Sequence, residues 1–241
     1  MFDFGKVKYK HGFSLVEVLI TLGAIGIVAV LTIPSLIIHI NTTKFRTQYK
    51  KTLSNLNQAV LNSENHYDLN FASMSSHCWN GSDNPKVNGS MCAIINGSIT
   101  GATFYTDTDI VTLGARGEYS PQGTGIIASP KRYYLFADGS LVGFDYDIAS
   151  CTLMPGADIA DLNPRCYGFI DVNGTTAPNK AVQCSDPTIT RISRDIGKCT
   201  VRNNSVDMGD IFPVVFHDST VEPLTNASRF ALYQSILNNK D

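Results

Sequence analysis

The chain has 241 residues, which is enough for one good-sized globular domain or two small ones, and its 19 Lys and Arg nearly balance 21 Asp and Glu. This balance argues against a basic nucleic-acid surface and against an acidic tail. Charged residues make up only 17% of the chain, while Gly, Asn, Ser and Thr are frequent, a composition that favours an exported, loop-rich domain with β-strands over a cytosolic enzyme.

A long apolar run from Phe13 to Ile40 dominates the N-terminal part. As an α-helix it would be about 40 Å long and apolar on all sides, whereas a bilayer core needs roughly 20 apolar residues. An ordinary cleaved signal peptide has a shorter apolar region of about 7–15 residues. The run therefore predicts a membrane-spanning helix, although the basic residues on its two sides do not decide its orientation.

One acidic residue, Glu17, lies near the start of this run. A carboxylate deep in lipid costs on the order of 2.5 kcal/mol or more unless it is hydrated or paired. Two explanations stay open: Glu17 is hydrated near the headgroups, or it pairs with a positive charge on a neighbouring subunit. Cleavage between Gly12 and Phe13 would create such a charge, and a charge paired only between subunits would set the register of an assembly.

Residues 10–17, KHGFSLVE, resemble the prepilin peptidase site of type IV pilins and type II secretion pseudopilins. A short basic leader ends in Gly12, Phe13 would be the first mature residue, and Glu17 is the fifth residue after the cut. The resemblance implies that prepilin peptidase cuts after Gly12 and methylates the new amino group of Phe13. It also implies that Glu17 aids the assembly of subunits.

The resemblance also divides the chain into four parts. Residues 1–12 would be a cytoplasmic leader, residues 13–40 a transmembrane and assembly helix, residues 41–67 an amphipathic extension of this helix, and residues 68–241 an exported globular head. Within the second part lies Pro34, at a place where this family commonly has a proline that kinks the helix, because proline removes a backbone hydrogen bond.

The predicted extension has helical periodicity. Apolar residues recur at spacings of 4, 4, 3 and 4, as expected for one face of an amphipathic helix that packs on the head: Phe45, Tyr49, Leu53, Leu56 and Val60. The polar residues Asn41, Thr42 and Thr43 leave an alternative open, in which a separate helix begins after a break.

All six cysteines lie in the predicted head and form no CxxC motif, which argues against zinc ribbons and thioredoxin-like sites. They fall into consecutive pairs at separations of 14, 15 and 15 positions: Cys78 and Cys92, Cys151 and Cys166, Cys184 and Cys199. Six cysteines allow 15 pairings, so the sequence does not determine connectivity. Pairing in chain order is our hypothesis, and buried free thiols are the alternative; disulfides would place the head outside the cytoplasm.

Strand patterns predict the rest of the head. Asp138-Gly139 lies between two β-rich runs, which predicts a hairpin with a two-residue type I′ turn. Further strands are predicted at Ala102–Tyr105, Ile110–Leu113, Tyr167–Val172 and Phe212–Phe216, a helix rather than an edge strand at Asn226–Leu237, and a disulfide-linked loop at Phe71–Ser98. The predicted fold class is α+β and pilin-like, with the long N-terminal helix packed on an antiparallel sheet and with disulfide-stapled loops.

One loop suggests a metal site. Asp171 and Asn173 precede a glycine, as at the start of a calcium loop, and Asp210 would join them if the two segments are adjacent. The closing glutamate of an EF-hand is absent. The alternative is an Asx-turn, in which an Asp side chain accepts a hydrogen bond from its own backbone. Calcium is thus a candidate ligand, and no other cofactor is expected.

No enzyme motif has the required context. Walker A, HExxH and GxSxG sequences are absent, and GTGIIA at residues 123–128 is followed by Pro130, which prevents the helix that a dinucleotide site needs. We interpret the chain as a non-enzymatic pilin or pseudopilin, a structural subunit of a type IV pilus or a type II secretion pseudopilus.

The expected location is the bacterial inner membrane, crossed once, with the head in the periplasm, or an extracellular filament after assembly. The expected partners are other pilin or pseudopilin subunits, prepilin peptidase, the inner-membrane assembly machinery and membrane lipid. Two alternatives stay open: an uncut, membrane-anchored extracytoplasmic binding protein, and an exported enzyme or binding domain with a simple anchor.

Overall fold

The computed structural model describes residues 14–113, 131–186, 199–201 and 209–237. The chain divides into two compact units, Met1–Ile40 and Asn41–Asp241. The predicted leader, with its cleavage site at Gly12 and Phe13, and the GTGIIA sequence lie outside the described residues.

The first helix, α1, is 53 residues long and spans Leu15–Tyr67. It continues through Asn41, so the alternative of a separate helix after a break is wrong. Pro34 lies inside α1, while the kink that we expect there stays a prediction.

The amphipathic stripe of α1 packs into the head, as predicted. Tyr49, Leu53, Leu56 and Val60 are buried, and Phe45 is partly buried against the same cluster. The ring of Tyr49 stacks on Phe212 of the sheet, with centroids 4.2 Å apart. The second unit is therefore built around its own part of α1.

Within the described ranges, six antiparallel strands follow one another in chain order across a single sheet. Three of the strands predicted outside the hairpin, Ala102–Tyr105, Tyr167–Val172 and Phe212–Phe216, are confirmed. Their observed ends differ from the predicted ends by at most one residue. The strand at 220–223 was not predicted. The strands are β1 Thr103–Thr106, β2 Lys131–Leu135, β3 Leu141–Asp145, β4 Tyr167–Asp171, β5 Ile211–His217 and β6 Thr220–Pro223.

Both faces of this sheet are buried. Tyr134 and Ile170 belong to the cluster that includes the α1 stripe, whereas their neighbours Tyr133 and Phe169 belong to a second cluster. This division follows from the alternation of side chains along a strand. The sequence predicted only the face that is covered by α1.

The described part of the head contains three further α-helices, α2 Met91–Ser98, α3 Asp107–Leu113 and α4 Asn226–Leu237, and two short 3-10 helices, Ile159–Asp161 and Pro164–Cys166. The helix at the C-terminal end is confirmed. The region Phe71–Ser98, predicted as a loop, contains α2. Its N-cap is Ser90, whose Oγ accepts a hydrogen bond of 3.1 Å from the N–H of Ala93. This N-cap overrides the loop-like composition.

The strand predicted at Ile110–Leu113 is wrong, because these residues belong to α3. Thr106 and Asp109 exchange the two hydrogen bonds of a capping box: the N–H of Thr106 donates to Oδ2 of Asp109 at 3.1 Å, and the N–H of Asp109 donates to Oγ1 of Thr106 at 3.3 Å. This pair starts a helix and outweighs the β-propensity of the residues that follow.

The predicted hairpin is present, but its turn is not type I′. Five residues, 136–140, connect β2 to β3; Gly139 has φ +84°, whereas Asp138 does not have a positive φ. The N–H of Gly139 donates to the carbonyl of Phe136 at 2.9 Å, and Asp138 accepts a 2.7 Å bond from Oγ of Ser140. The Asp138 side chain thus stabilises a longer loop with a single left-handed residue.

The six cysteines form three disulfides in chain order, as hypothesised. They join Cys78 to Cys92, Cys151 to Cys166 and Cys184 to Cys199, with Cα atoms 5.4, 5.8 and 5.2 Å apart. No cysteine is left free. Buried free thiols are thereby excluded, and each disulfide closes a short loop of the head.

Candidate functional site

The start of α1 is a capping box. The N–H of Glu17 donates to Oγ of Ser14 at 3.2 Å, and the N–H of Ser14 donates to Oε2 of Glu17 at 3.4 Å. The two side chains thus satisfy backbone donors that have no partner within the helix. A carboxylate at this end also interacts favourably with the helix dipole.

Sequence reasoning missed this role of Glu17, although the pattern was visible. Ser14 and Glu17 are the first and last residues of an S-x-x-E sequence that directly precedes an apolar run, which is the signature of a capping box. The capping box explains how the single chain accommodates Glu17. It leaves the negative charge without a basic partner among the described residues.

The apolar side chains of the first unit lie exposed on α1. The 20-residue stretch Leu15–Pro34 is long and apolar enough to cross a membrane. Its large exposed side chains, together with those of the next turns, are Leu15, Val16, Val18, Leu19, Ile20, Leu22, Ile25, Ile27, Val28, Val30, Leu31, Ile33, Leu36, Ile37 and Ile40. A helix that is apolar on all sides needs lipid or another chain around it, so this segment fits membrane anchoring.

Small residues lie within this exposed segment. A Cβ atom at Gly23 or Gly26 would meet no other atom within 4 Å. The single chain therefore does not need glycine at these positions. In helix–helix contacts, by contrast, small residues allow two backbones to approach closely.

The three residues predicted to hold calcium do lie together in the head. The N–H of Asn173 donates to Oδ1 of Asp171 at 3.3 Å, which is an Asx-turn, and the Asn173 side chain also contacts the carboxylate of Asp210. Asp210 accepts further bonds of 2.9 and 2.8 Å from the N–H groups of Asn179 and Lys180. Both carboxylates are buried, and burial raises the pKa of Asp210, although these hydrogen bonds oppose the shift.

Two amide oxygens in this cluster have no hydrogen-bond partner in the part of the chain that the structure describes. Oδ1 of Asn173 and Oδ1 of Asn179 are buried and accept no hydrogen bond from the described residues. Carboxylate and amide oxygens are ligands that suit calcium. No group of three or more His, Cys, Asp or Glu side chains in the described ranges is placed to hold a metal. Calcium binding to this mixed Asp and Asn set stays a prediction.

The family profile described as a prokaryotic N-terminal methylation motif matches residues 7–33. No curated protein and no solved structure matches the chain significantly. The match covers the predicted cleavage site, Ser14, Glu17 and most of the exposed apolar segment, and it does not extend to the head. The chain thus carries, at residues 7–33, the N-terminal segment that is the signature of type IV pilin and pseudopilin precursors.

Proposed function

We propose that this chain is a structural subunit of a type IV pilus or a type II secretion pseudopilus. Prepilin peptidase cuts it after Gly12 and methylates Phe13, and the mature subunit assembles with other pilin or pseudopilin subunits through α1. The observation that carries the proposal is the methylation motif at residues 7–33, followed directly by an exposed apolar helix. The motif points to a structural protein rather than an enzyme.

In this proposal Glu17 acts twice. Before assembly it caps α1 together with Ser14. In the filament its charge neutralises the amino group of Phe13 on a neighbouring subunit. A carboxylate in a lipid-like environment is costly without a cation, so an unmatched subunit is disfavoured.

The disulfides support an orientation with the head outside the cytoplasm, since disulfides persist in oxidising compartments and are rare in the cytosol. All six cysteines lie after residue 77 and all are paired. Before assembly the subunit is anchored in the bacterial inner membrane with its head in the periplasm. The assembly machinery extracts it from there into a filament.

The first experiment is the intact mass and N-terminal residue of the protein purified from its native membrane. We expect a chain that begins at methylated Phe13 and is two hydrogens lighter for each of its three disulfides. A chain that begins at Met1 would contradict the proposal and favour the alternative, an uncut, membrane-anchored binding protein.

A second experiment distinguishes the helix-capping role of Glu17 from its charge-pairing role. Glu17→Gln keeps a side-chain oxygen that accepts from Ser14, because glutamine also completes a capping box, but it removes the charge. We expect Glu17→Gln subunits to insert and to be cleaved, yet to be lost from sheared filaments. The matched control Ser14→Ala breaks the reciprocal cap, at a cost of about 1 kcal/mol, and retains the charge; it should still assemble.

Normal incorporation of Glu17→Gln subunits would refute the charge-pairing role. If Ser14→Ala fails as well as Glu17→Gln, assembly requires the cap in addition to the charge. Each variant is co-produced with the wild-type subunit, so that its share of the filament is measured against an internal standard.

A further inference from the structure

The only tryptophan of the chain, Trp79, lies on the surface of the head with 62% of its area exposed. It belongs to a group of three rings. The centroid of Trp79 lies 5.5 Å from that of Tyr146 and 6.4 Å from that of His77, and His77 lies 5.9 Å from Tyr146. These spacings are those of rings in direct contact.

Contacts with the surrounding structure restrain the backbone beside Trp79 and the ring of Tyr146. Cys78, the residue before Trp79, is joined to Cys92. Nε of buried Arg132 donates to the carbonyls of Cys78 and Trp79 at 3.0 and 3.2 Å, and its guanidinium lies 5.3 Å from the centroid of Tyr146. A platform fixed in this way loses little conformational entropy when a ligand binds.

Polar groups surround the rings. Nδ1 of His77 lies 3.0 Å from Oδ1 of Asp147, and Arg165 donates to the other carboxylate oxygen. His77 and Arg165 are each about half exposed, with side-chain exposures of 47% and 52%. Hydrogen-bond donors and acceptors therefore lie beside the exposed indole of Trp79, whose plane is tilted by 60° to Tyr146 and by 87° to His77.

Two classes of ligand fit this arrangement poorly. A quaternary ammonium group needs an open space between aromatic walls, but these rings touch one another, and Arg132 already occupies the neighbourhood of Tyr146. A nucleic acid stacks on aromatic rings but needs a positively charged groove. Here Arg132 is buried, and Asp147 neutralises Arg165.

A sugar ring has the complementary chemistry. Its C–H groups form an apolar face that packs on the negative face of an aromatic ring. Its hydroxyl groups, which are both donors and acceptors, match the mixed charges of His77, Asp147 and Arg165. We propose that Trp79, supported by Tyr146 and bordered by these three residues, is a carbohydrate-binding platform that takes a hexopyranose unit of an oligosaccharide or polysaccharide.

The platform can be tested through its own fluorescence. Because Trp79 is the only tryptophan, indole emission reports on this one position. The full chain is purified in a polyoxyethylene detergent, which has no sugar headgroup, and titrated with cellohexaose, chitohexaose and mannohexaose. We expect a saturable change in emission with at least one of them and a matching heat of binding by calorimetry.

Variants then assign the site. Trp79→Ala, which has no tryptophan and is therefore measured by calorimetry, should weaken binding by about tenfold or more, since one stacking contact is on that order. Asp147→Asn should weaken it less. The matched control Val87→Ala, which shortens another highly exposed apolar side chain of the head, should bind as the wild type does. Circular dichroism checks that each variant is folded.

Three results would overturn the proposal. The first is that no hexasaccharide binds, or that binding is unchanged in folded Trp79→Ala. The second is that an oligothymidylate binds in preference, with an affinity that falls as salt rises, which indicates a nucleic-acid site. The third is that Trp79→Ala abolishes a concentration-dependent self-association, which indicates that a second copy of this chain covers the rings.

Discussion

Residues 15–40 and the head use the same apolar residue types in opposite ways. Ile25 and Leu31 of the first segment are 64% and 72% exposed, whereas Leu56 and Ile94 in the head are 2% and 1% exposed. Burial of such a side chain contributes about 1.5–3 kcal/mol. In the head these side chains are buried within the same chain. The side chains of residues 15–40 are exposed, so only lipid or another chain can bury them.

The comparison teaches that hydrophobicity alone does not distinguish an anchor from a core. The anchor segment is apolar on every side of one helix, whereas the stripe from Tyr49 to Val60 is apolar on one face. The stripe packs against the sheet of the head. The following predictions test how far the stability of the head is independent of residues 15–40.

The largest effect is expected for a core truncation. Phe216 is fully buried and packs edge-to-face against Phe71, with centroids 5.3 Å apart. Phe216→Ala should lower the free energy of unfolding of the head by about 3–5 kcal/mol. Ile25→Ala, the matched change in the exposed segment, should leave it unchanged. Urea titration followed by near-UV circular dichroism measures both; equal losses would contradict the separation of the two regions.

The next effect concerns a crosslink that only the head has. Replacing both Cys151 and Cys166 by alanine should destabilise the head by about 3 kcal/mol, because the 15-residue loop is no longer closed in the unfolded chain. Membrane insertion of α1 should be unchanged. Urea titration and carbonate extraction test the two statements; a double variant as stable as the wild type would show that this disulfide contributes nothing.

Calcium should act on the head alone. If it binds at Asp171, Asn173 and Asp210, a hundredfold excess over Kd stabilises the head by about 2.7 kcal/mol. The melting temperature should rise with calcium and not with magnesium. Asn179→Gly removes one unpartnered oxygen and tolerates the left-handed backbone at this position, where φ is +49°, so it should reduce the calcium effect. Equal melting temperatures with calcium and with chelator would leave the Asx-turn as the whole explanation.

A smaller effect depends on pH. Both ring nitrogens of His217 face carboxylates at 2.9 Å, Nε2 toward Glu222 and Nδ1 toward Asp218. Glu222, with Asp218 as the second contributor, raises the pKa of His217 above 6.5 despite burial. Charged hydrogen bonds of this kind contribute about 1.5 kcal/mol or more.

Because the pKa is raised on folding, this contribution is fully present below about pH 6.5 and is lost as the pH rises through the folded-state pKa. The basic group Arg229 also faces Glu222, at 3.9 Å. Urea titrations at several pH values should therefore show the head weakening as the pH rises above about 6.5, and Glu222→Gln should flatten this dependence. An identical pH profile in Glu222→Gln would rule out the role of the pair.

The sequence by itself determined the features that depend on local pattern. The length of residues 13–40 and their apolar character on all sides predicted a membrane-spanning helix. Apolar residues at spacings of three and four predicted the buried stripe of α1. The strands at 167–172 and 212–216 were visible because β-branched and aromatic residues cluster there. The KHGFSLVE sequence similarly indicated the precursor family, because the signature of this family is a short contiguous segment.

The helix at 107–113 replaced a predicted strand because Thr106 and Asp109 cap it, a local pattern that outweighed β-propensity. Tertiary structure decided the features in which distant residues meet. The contact between Asn173 and Asp210 and the aromatic group around Trp79 join segments far apart in the chain. Such contacts depend on how the sheet brings its loops together, and no spacing along the chain encodes that distance.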